Sequence, residues 1–146
     1  MTIHYSTRIK RILLTMLTII SVISFASCSQ KISFQNSTVV PAAQGKVTIK
    51  KDSNKNYVVK IKISNLAEVQ RLQPAKNVYV VWIETEENNI KNIGRIKSDS
   101  GFLSSKLKAT FETVTSFKPT KVFITGEDNQ DVSYPGYQMV LTTNQF

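Results

Sequence analysis

A single histidine, His4, and a single cysteine, Cys28, are the only residues of their kinds in this 146-residue sequence, and both lie before Ser29. From Ser29 onward the chain therefore lacks the imidazole and thiolate ligands that zinc and copper most often take. It also lacks the base on which Ser/His and Cys/His nucleophiles depend. Hydrolases of those kinds are nearly excluded, no cofactor or metal is expected, and no catalytic residue is assigned. Glycine is sparse as well: the five glycines are scattered and none opens a predicted helix, so there is no glycine-rich phosphate cradle. Long hydrophobic runs are missing too. The longest, Ile12 to Phe25, has 14 residues, and as a helix it would cover only about 21 Å of a hydrocarbon core about 30 Å thick.

The residues around that run give it a role. Arg8, Lys10 and Arg11 precede it and Ala26-Ser27-Cys28 follows it, which is the build of a secretion signal. Phe25-Ala26-Ser27-Cys28 resembles the lipobox of bacterial lipoproteins, with Phe25 where leucine is usual. The resemblance implies that Cys28 carries lipid and becomes the first mature residue, so that a lipoprotein signal peptide spans 1–27 and the protein is a membrane-anchored component of the cell envelope. In a Gram-negative cell it would sit on the periplasmic or outer-membrane side. The alternative is a soluble secreted protein in which Cys28 is incidental. A lone cysteine cannot make an internal disulfide, and lipidation explains its place at the end of the apolar run. Without residues 1–27 the chain keeps 16 basic and 10 acidic residues, a net charge of +6 on 119 residues. That length suits one domain. A protein leaving the cytoplasm is not expected to meet nucleic acid.

Residues 28–45 read as the lipidated cysteine and a flexible tether, whose 17 residues from Ser29 would reach about 20 to 25 Å. Within it, Ile32 to Val40 has enough β-branched and apolar residues for an edge strand, and that option stays open. The domain proper is expected over 46–146. Its strongest signal is Asn77 to Thr85, where seven of nine residues are β-branched or aromatic and both faces are apolar, as in a central strand. Lys46 to Lys51 and Tyr57 to Ser64 alternate around the turn Asp52-Ser53-Asn54-Lys55-Asn56 and should pair as a hairpin. Asn65 to Lys76 is a connection, either one or two helical turns or a loop pinned by Leu66, Val69 and Leu72. Further strands are expected at Asn92 to Lys97, with Gly94 as a bulge, and at Lys106 to Thr113, Lys121 to Thr125 and Gln138 to Thr142. With no long helical period, these elements predict an all-β, antiparallel, immunoglobulin-like sandwich of about seven strands.

Tyr79-Val80-Val81-Trp82, Ile93-Gly94-Arg95-Ile96, Phe123-Ile124-Thr125-Gly126-Glu127 and Pro135-Gly136 followed by Met139-Val140-Leu141 stand in that order. This order resembles the extracytoplasmic C-terminal β-domain of the anti-sigma-K factors over about residues 79 to 142. The resemblance implies the fold. It does not carry sigma-factor binding with it, because those proteins bind through a separate cytoplasmic domain placed before a transmembrane helix, and this chain has neither.

Three groups of side chains are candidates for contact. Glu84, Glu86 and Glu87, and Glu127, Asp128 and Asp131, are either solvated turns or the raw material of a glycosidase-like pair or a calcium loop. Tyr134 and Tyr137 flank Pro135-Gly136 and either stack on sugar rings or pack beside the turn. Lys50, Lys60 and Lys62 would share one face of the first hairpin, to bind an anionic surface or to keep an exposed strand soluble. Two functions are compatible with these options. One is a lipid-anchored, non-enzymatic envelope protein acting by binding or by structure, with an envelope protein or polysaccharide as partner. The other is a carbohydrate-directed module, weakly catalytic through its carboxylates.

Overall fold

The computed structural model describes residues 9–11, 15, 29–96, 98–99 and 108–146; Cys28 lies outside them. Among the described residues there are nine strands: β1 (Ser29–Ser33), β2 (Gln44–Lys51), β3 (Tyr57–Ser64), β4 (Val78–Thr85), β5 (Ile90–Ile96), β6 (Ser98–Asp99), β7 (Lys108–Thr115), β8 (Pro119–Glu127) and β9 (Met139–Thr142). They form two antiparallel sheets, in the orders β1-β2-β3-β7-β6 and β5-β4-β8-β9.

Alternation decides what each sheet buries. In β2 and β3, Val47, Ile49, Val59, Ile61 and Ile63 point inward, while Lys46, Lys50, Lys60 and Lys62 point out. Facing them across the core are Tyr79, Val81 and Ile83 of β4 and Val122 and Ile124 of β8. The strand at Tyr79 to Ile83 is interior to its sheet, flanked by β5 and β8. Its other face is also covered: Val80, Trp82 and Phe123 form a second, smaller cluster, closed by Val78 and by Val132 from the loop after β8. Burying both faces of β4 and β8 is why those two strands read as near-continuous apolar runs.

The connection from β3 to β4 is pinned by Leu66, Val69 and Leu72, all buried, around one 3-10 turn at Val69–Arg71. Gly94 sits at φ +130° beside the irregular register of β4 and β5, and a Cβ there would meet the Phe111 ring at 3.0 Å. Only glycine takes both that backbone conformation and that contact without strain.

Several expectations need correction. The segment expected as a tether is part of the fold. Ser29–Ser33 pairs with β2 in register Ser29↔Lys50 to Ser33↔Lys46. Phe34 then bridges to Thr143, and Gln35 N donates to Thr142 O. The Ser37 hydroxyl donates to Val140 O at 2.5 Å and accepts from Val40 N. A segment whose backbone bonds are met by β2 and β9 gains nothing from being free. Among the described residues there are nine strands rather than about seven, because β1 and the two-residue β6 add to the expected set. The strand expected from Lys121 starts two residues earlier, because Pro119 opens β8 beside Thr85, where a residue without an N–H is tolerated.

The register also fixes which loops share an end. Ser29 lies opposite Lys50, close to the β2–β3 turn, and Tyr57 pairs with Thr115, which brings the turn Ser116-Phe117-Lys118 there too. β8 starts at this end and delivers the loop after Glu127 to the other, nine residues on or about 27 Å away.

Candidate functional site

The outward face of the first sheet is a grid whose columns are strands. Reading across β1, β2, β3 and β7, one row is Ser29, Lys50, Val58 and Val114. The next is Lys31, Thr48, Lys60 and Glu112, and the third is Ser33, Lys46, Lys62 and Thr110. The last holds Gln44, Ser64 and Lys108. The expected trio Lys50, Lys60 and Lys62 does share this face, and the pairing adds Lys31, Lys46 and Lys108. Against six lysines these four strands carry one carboxylate, Glu112, which Lys60 engages at 2.6 Å, and the short β6 adds Asp99 opposite Lys108. Lys46 and Lys62 stand directly opposite one another, a like-charge pair that costs stability. A groove of about 970 Å³ runs along the face, and Lys31, Lys46, Lys60, Lys62 and Lys108 are among its lining residues.

Lys46 and Lys108 are legible in part from sequence, since Lys46 has the parity of Lys50. Lys31 is not, because it joins the face only through the pairing of β1.

At the far end of β8 a different arrangement appears. The Trp82 indole N–H donates to the Thr125 hydroxyl at 2.8 Å, Thr125 donates to Glu127 Oε1 at 2.6 Å, and Gly136 N donates to the same oxygen at 2.7 Å. Trp82, Thr125 and Glu127 are buried. A Cβ on Gly136 would lie 2.7 Å from Glu127 Oε2, so the backbone approaches this carboxylate as closely as it does because residue 136 has no side chain. The network fastens the loop from Asp128 to Tyr137 onto the outer face of the second sheet. Asn92 helps by donating to Gln130 O and Val132 O, and Asn77 by donating to Asp128 O. Trp82, Thr125, Glu127 and Gly136 are the links of this clamp.

Its side chains are thereby withdrawn from the chemistry that was open to them. Glu127 is spent on the loop, and Asp128 accepts from Lys76 at 2.7 Å, a bond that raises the lysine's pKa above its usual value. Among the described residues no three Asp, Glu, His or Cys side chains gather as metal ligands would. Glu86 pairs with Lys118 and Glu87 accepts from Asn89. Glu84 pairs with Lys121 in the ladder, six residues along from the pairing of Val78 with Glu127. That places the two acidic groups about 20 Å apart, more than twice the reach of a glycosidase pair.

The tyrosines behave otherwise. Tyr134 is 83 % exposed and Tyr137 82 %, so neither packs beside its turn. The Lys76 ammonium lies 5.9 Å from the Tyr137 ring centroid. Both rings are presented at the end of the sandwich opposite Ser29.

Comparison with known proteins finds no matching family model, no matching curated protein and no matching solved structure.

Proposed function

We propose that this chain is a lipid-anchored, non-enzymatic protein of the cell envelope that works by binding or by structure, on an immunoglobulin-like sandwich. One observation carries the reading: among the described residues after the lipobox-like Phe25-Ala26-Ser27-Cys28, the strands β1 to β9 make one two-sheet domain, the single folded unit that an anchored protein acting by binding or by structure needs. With β1 set aside, the orders β2-β3-β7-β6 and β5-β4-β8-β9 correspond to strands ABED and C′CFG, which supports the immunoglobulin-like class. Trp82 departs from that pattern by pointing away from the main core.

The test is fractionation of cells expressing the chain and Cys28→Ala. The parent is expected in the membrane fraction with a lipid-sized mass on Cys28, and the variant outside it. An unmodified Cys28 in the mature protein refutes the anchor.

The exposed tyrosines favour a second reading, a carbohydrate-binding module with Tyr134 and Tyr137 as its stacking platform. A glycan screen should then give a ligand that the pair Tyr134→Ala and Tyr137→Ala no longer holds. A screen with no ligand, or one whose ligand survives both changes, removes this reading.

A further inference from the structure

The lysines of β2 and β3 have an obvious bland role, to guard a sheet edge against pairing with another chain. The topology takes that role away. β2 and β3 are interior strands, flanked by β1 and β7, and have no free edge to guard. What remains is a face on which Lys31, Lys46, Lys50, Lys60, Lys62 and Lys108 meet two carboxylates in the ladder, Glu112 opposite Lys60 and Asp99 opposite Lys108, with Lys46 set against Lys62 at a cost to the fold.

Two further features bear on what neutralises it. Hydrophobic side chains lie in the row nearest the chain's start: Val114 is 58 % exposed, and Val58 is its partner in the ladder. Ser29, which follows Cys28 directly, is the corner residue of that same row. A tether would have let the domain turn freely, but the pairing of Ser29 with Lys50 leaves no slack between the anchor position and the face.

We propose that this face is a membrane-docking surface: the first sheet lies on the headgroups of the bilayer that holds the anchor, with its lysines on anionic lipid phosphates and Val58 and Val114 at the interface. This rests on the anchored reading above. Lysines near an anionic leaflet each strengthen attraction about fivefold, so together they fix the orientation of a domain that the lipid alone would leave to rotate. The posture turns the second sheet, with its clamp, away from the lipid.

Amine-reactive footprinting of the lipidated chain tests this in vesicles of phosphatidylcholine alone and in vesicles containing one part in three of phosphatidylglycerol. Lys91 and Lys121 of the second sheet serve as internal references. In the anionic vesicles Lys31, Lys46, Lys50, Lys60 and Lys62 should react at least about fivefold more slowly relative to the references, and recover at about 1 M salt, where the Debye length falls to about 3 Å. Changing Lys46, Lys50 and Lys62 together to glutamine should abolish the slowing at Lys31 and Lys60. Equal reactivity in the two vesicle types overturns the proposal. So does protection that appears only when a soluble polyanion such as polygalacturonate is added, because the face would then read a polymer. Intact mass on the same sample separates the two readings: a lipidated chain with unprotected lysines condemns the docking face alone, whereas an unlipidated chain absent from the neutral vesicles condemns the anchor.

Discussion

The outer faces of the two sheets are made by strands of similar length and treat water in opposite ways. On the second sheet Val80, Trp82 and Phe123 point outward and are buried, with the two rings stacked at 6.3 Å and 11° between their planes. On the first sheet the corresponding positions are mostly lysine, serine and threonine, with Val58 and Val114 in one row, and none of the outward residues of β2 and β3 is buried. The difference lies in where the chain goes as it leaves each strand. β8 leads into the loop that folds back over its own sheet, while β2 and β3 are joined by the tight turn Asp52–Asn56, which closes through Asp52 and covers nothing. A strand apolar on both faces is thus a demand for a cover, and polar links from Asn77, Asn92, Thr125 and Glu127 hold that cover in place.

The sharpest way to break the comparison is to remove what the cover protects. Trp82→Ala should cost about 3 to 5 kcal/mol and Ile83→Ala, on the inward side of the same strand, about 2 to 5, whereas Lys108→Ala on the open face should stay within about 0.5. Denaturant melts of the three variants measure this. A Trp82 variant no worse than the lysine one would mean that the outer cluster is not a core.

Glu127 tests how the cover is fastened. Glu127→Ala leaves the Thr125 hydroxyl and the Gly136 amide without their acceptor, and the expected loss is about 1 to 3 kcal/mol. The Gly136 amide should also exchange with solvent much faster, while amides in β3 keep their protection. Uniform loss of protection throughout the chain would show that the loop and the sheets open as one unit.

Alkaline pH probes the same strand from its inner side. Tyr79 is buried and its hydroxyl donates to Ala67 O at 2.9 Å; burial pushes its pKa up to about 12. Below pH 10 the phenol is protonated in folded and unfolded chains alike. Between pH 10 and 12 the unfolded chain gives up a proton that the folded one keeps, so this group's contribution is lost as pH rises, by about 2 to 3 kcal/mol at pH 12. Tyr79→Phe should flatten the fall in stability over that interval. Absorbance titration of the native protein should show a phenol whose ionisation is delayed to about pH 12 and is missing from the Tyr79→Phe variant.

Much of this was open to a reader of the sequence, because period two is a local property. Val59, Ile61 and Ile63 against Lys60 and Lys62 declare their faces without any knowledge of partners, and the apolar excess of Tyr79 to Ile83 announces an interior strand. What stayed hidden was non-local. Ser29–Ser33 has only Ile32 to recommend it as a strand, and becomes one because β2 offers a free edge and β9 receives the residues after it. Lys31 therefore could not be placed on the lysine face, and the tether expected at 28–45 dissolved for the same reason. The acidic loop misled in the other direction: Glu127, Asp128 and Asp131 are close in sequence, but the clamp and Lys76 take the first two apart. Tyr134 and Tyr137 illustrate a third limit, since a turn's sequence does not say which side of it meets the protein.

The smallest effect bears most directly on what separates the two faces. If the lysine grid contributed to folding as the outer cluster does, removing a lysine from it would weaken the protein. The pairing predicts the reverse for Lys46 and Lys62, which face one another across interior strands with no carboxylate opposite either. Changing either to glutamine should leave stability equal or raise it by up to about 0.5 kcal/mol at low salt. The double change should gain less than the sum of the two, because each removes the same repulsion. The gain should shrink as salt screens the pair. Lys60→Gln is the control with the opposite sign: it gives up the bond to Glu112, and an exposed pair of that kind contributes about 0.2 to 1 kcal/mol. Urea melts of the four variants at low and high ionic strength distinguish these outcomes. If Lys46→Gln and Lys62→Gln both destabilise the domain as Lys60→Gln does, the grid helps to hold the sheet together, and its lysines need no partner outside the chain to account for them.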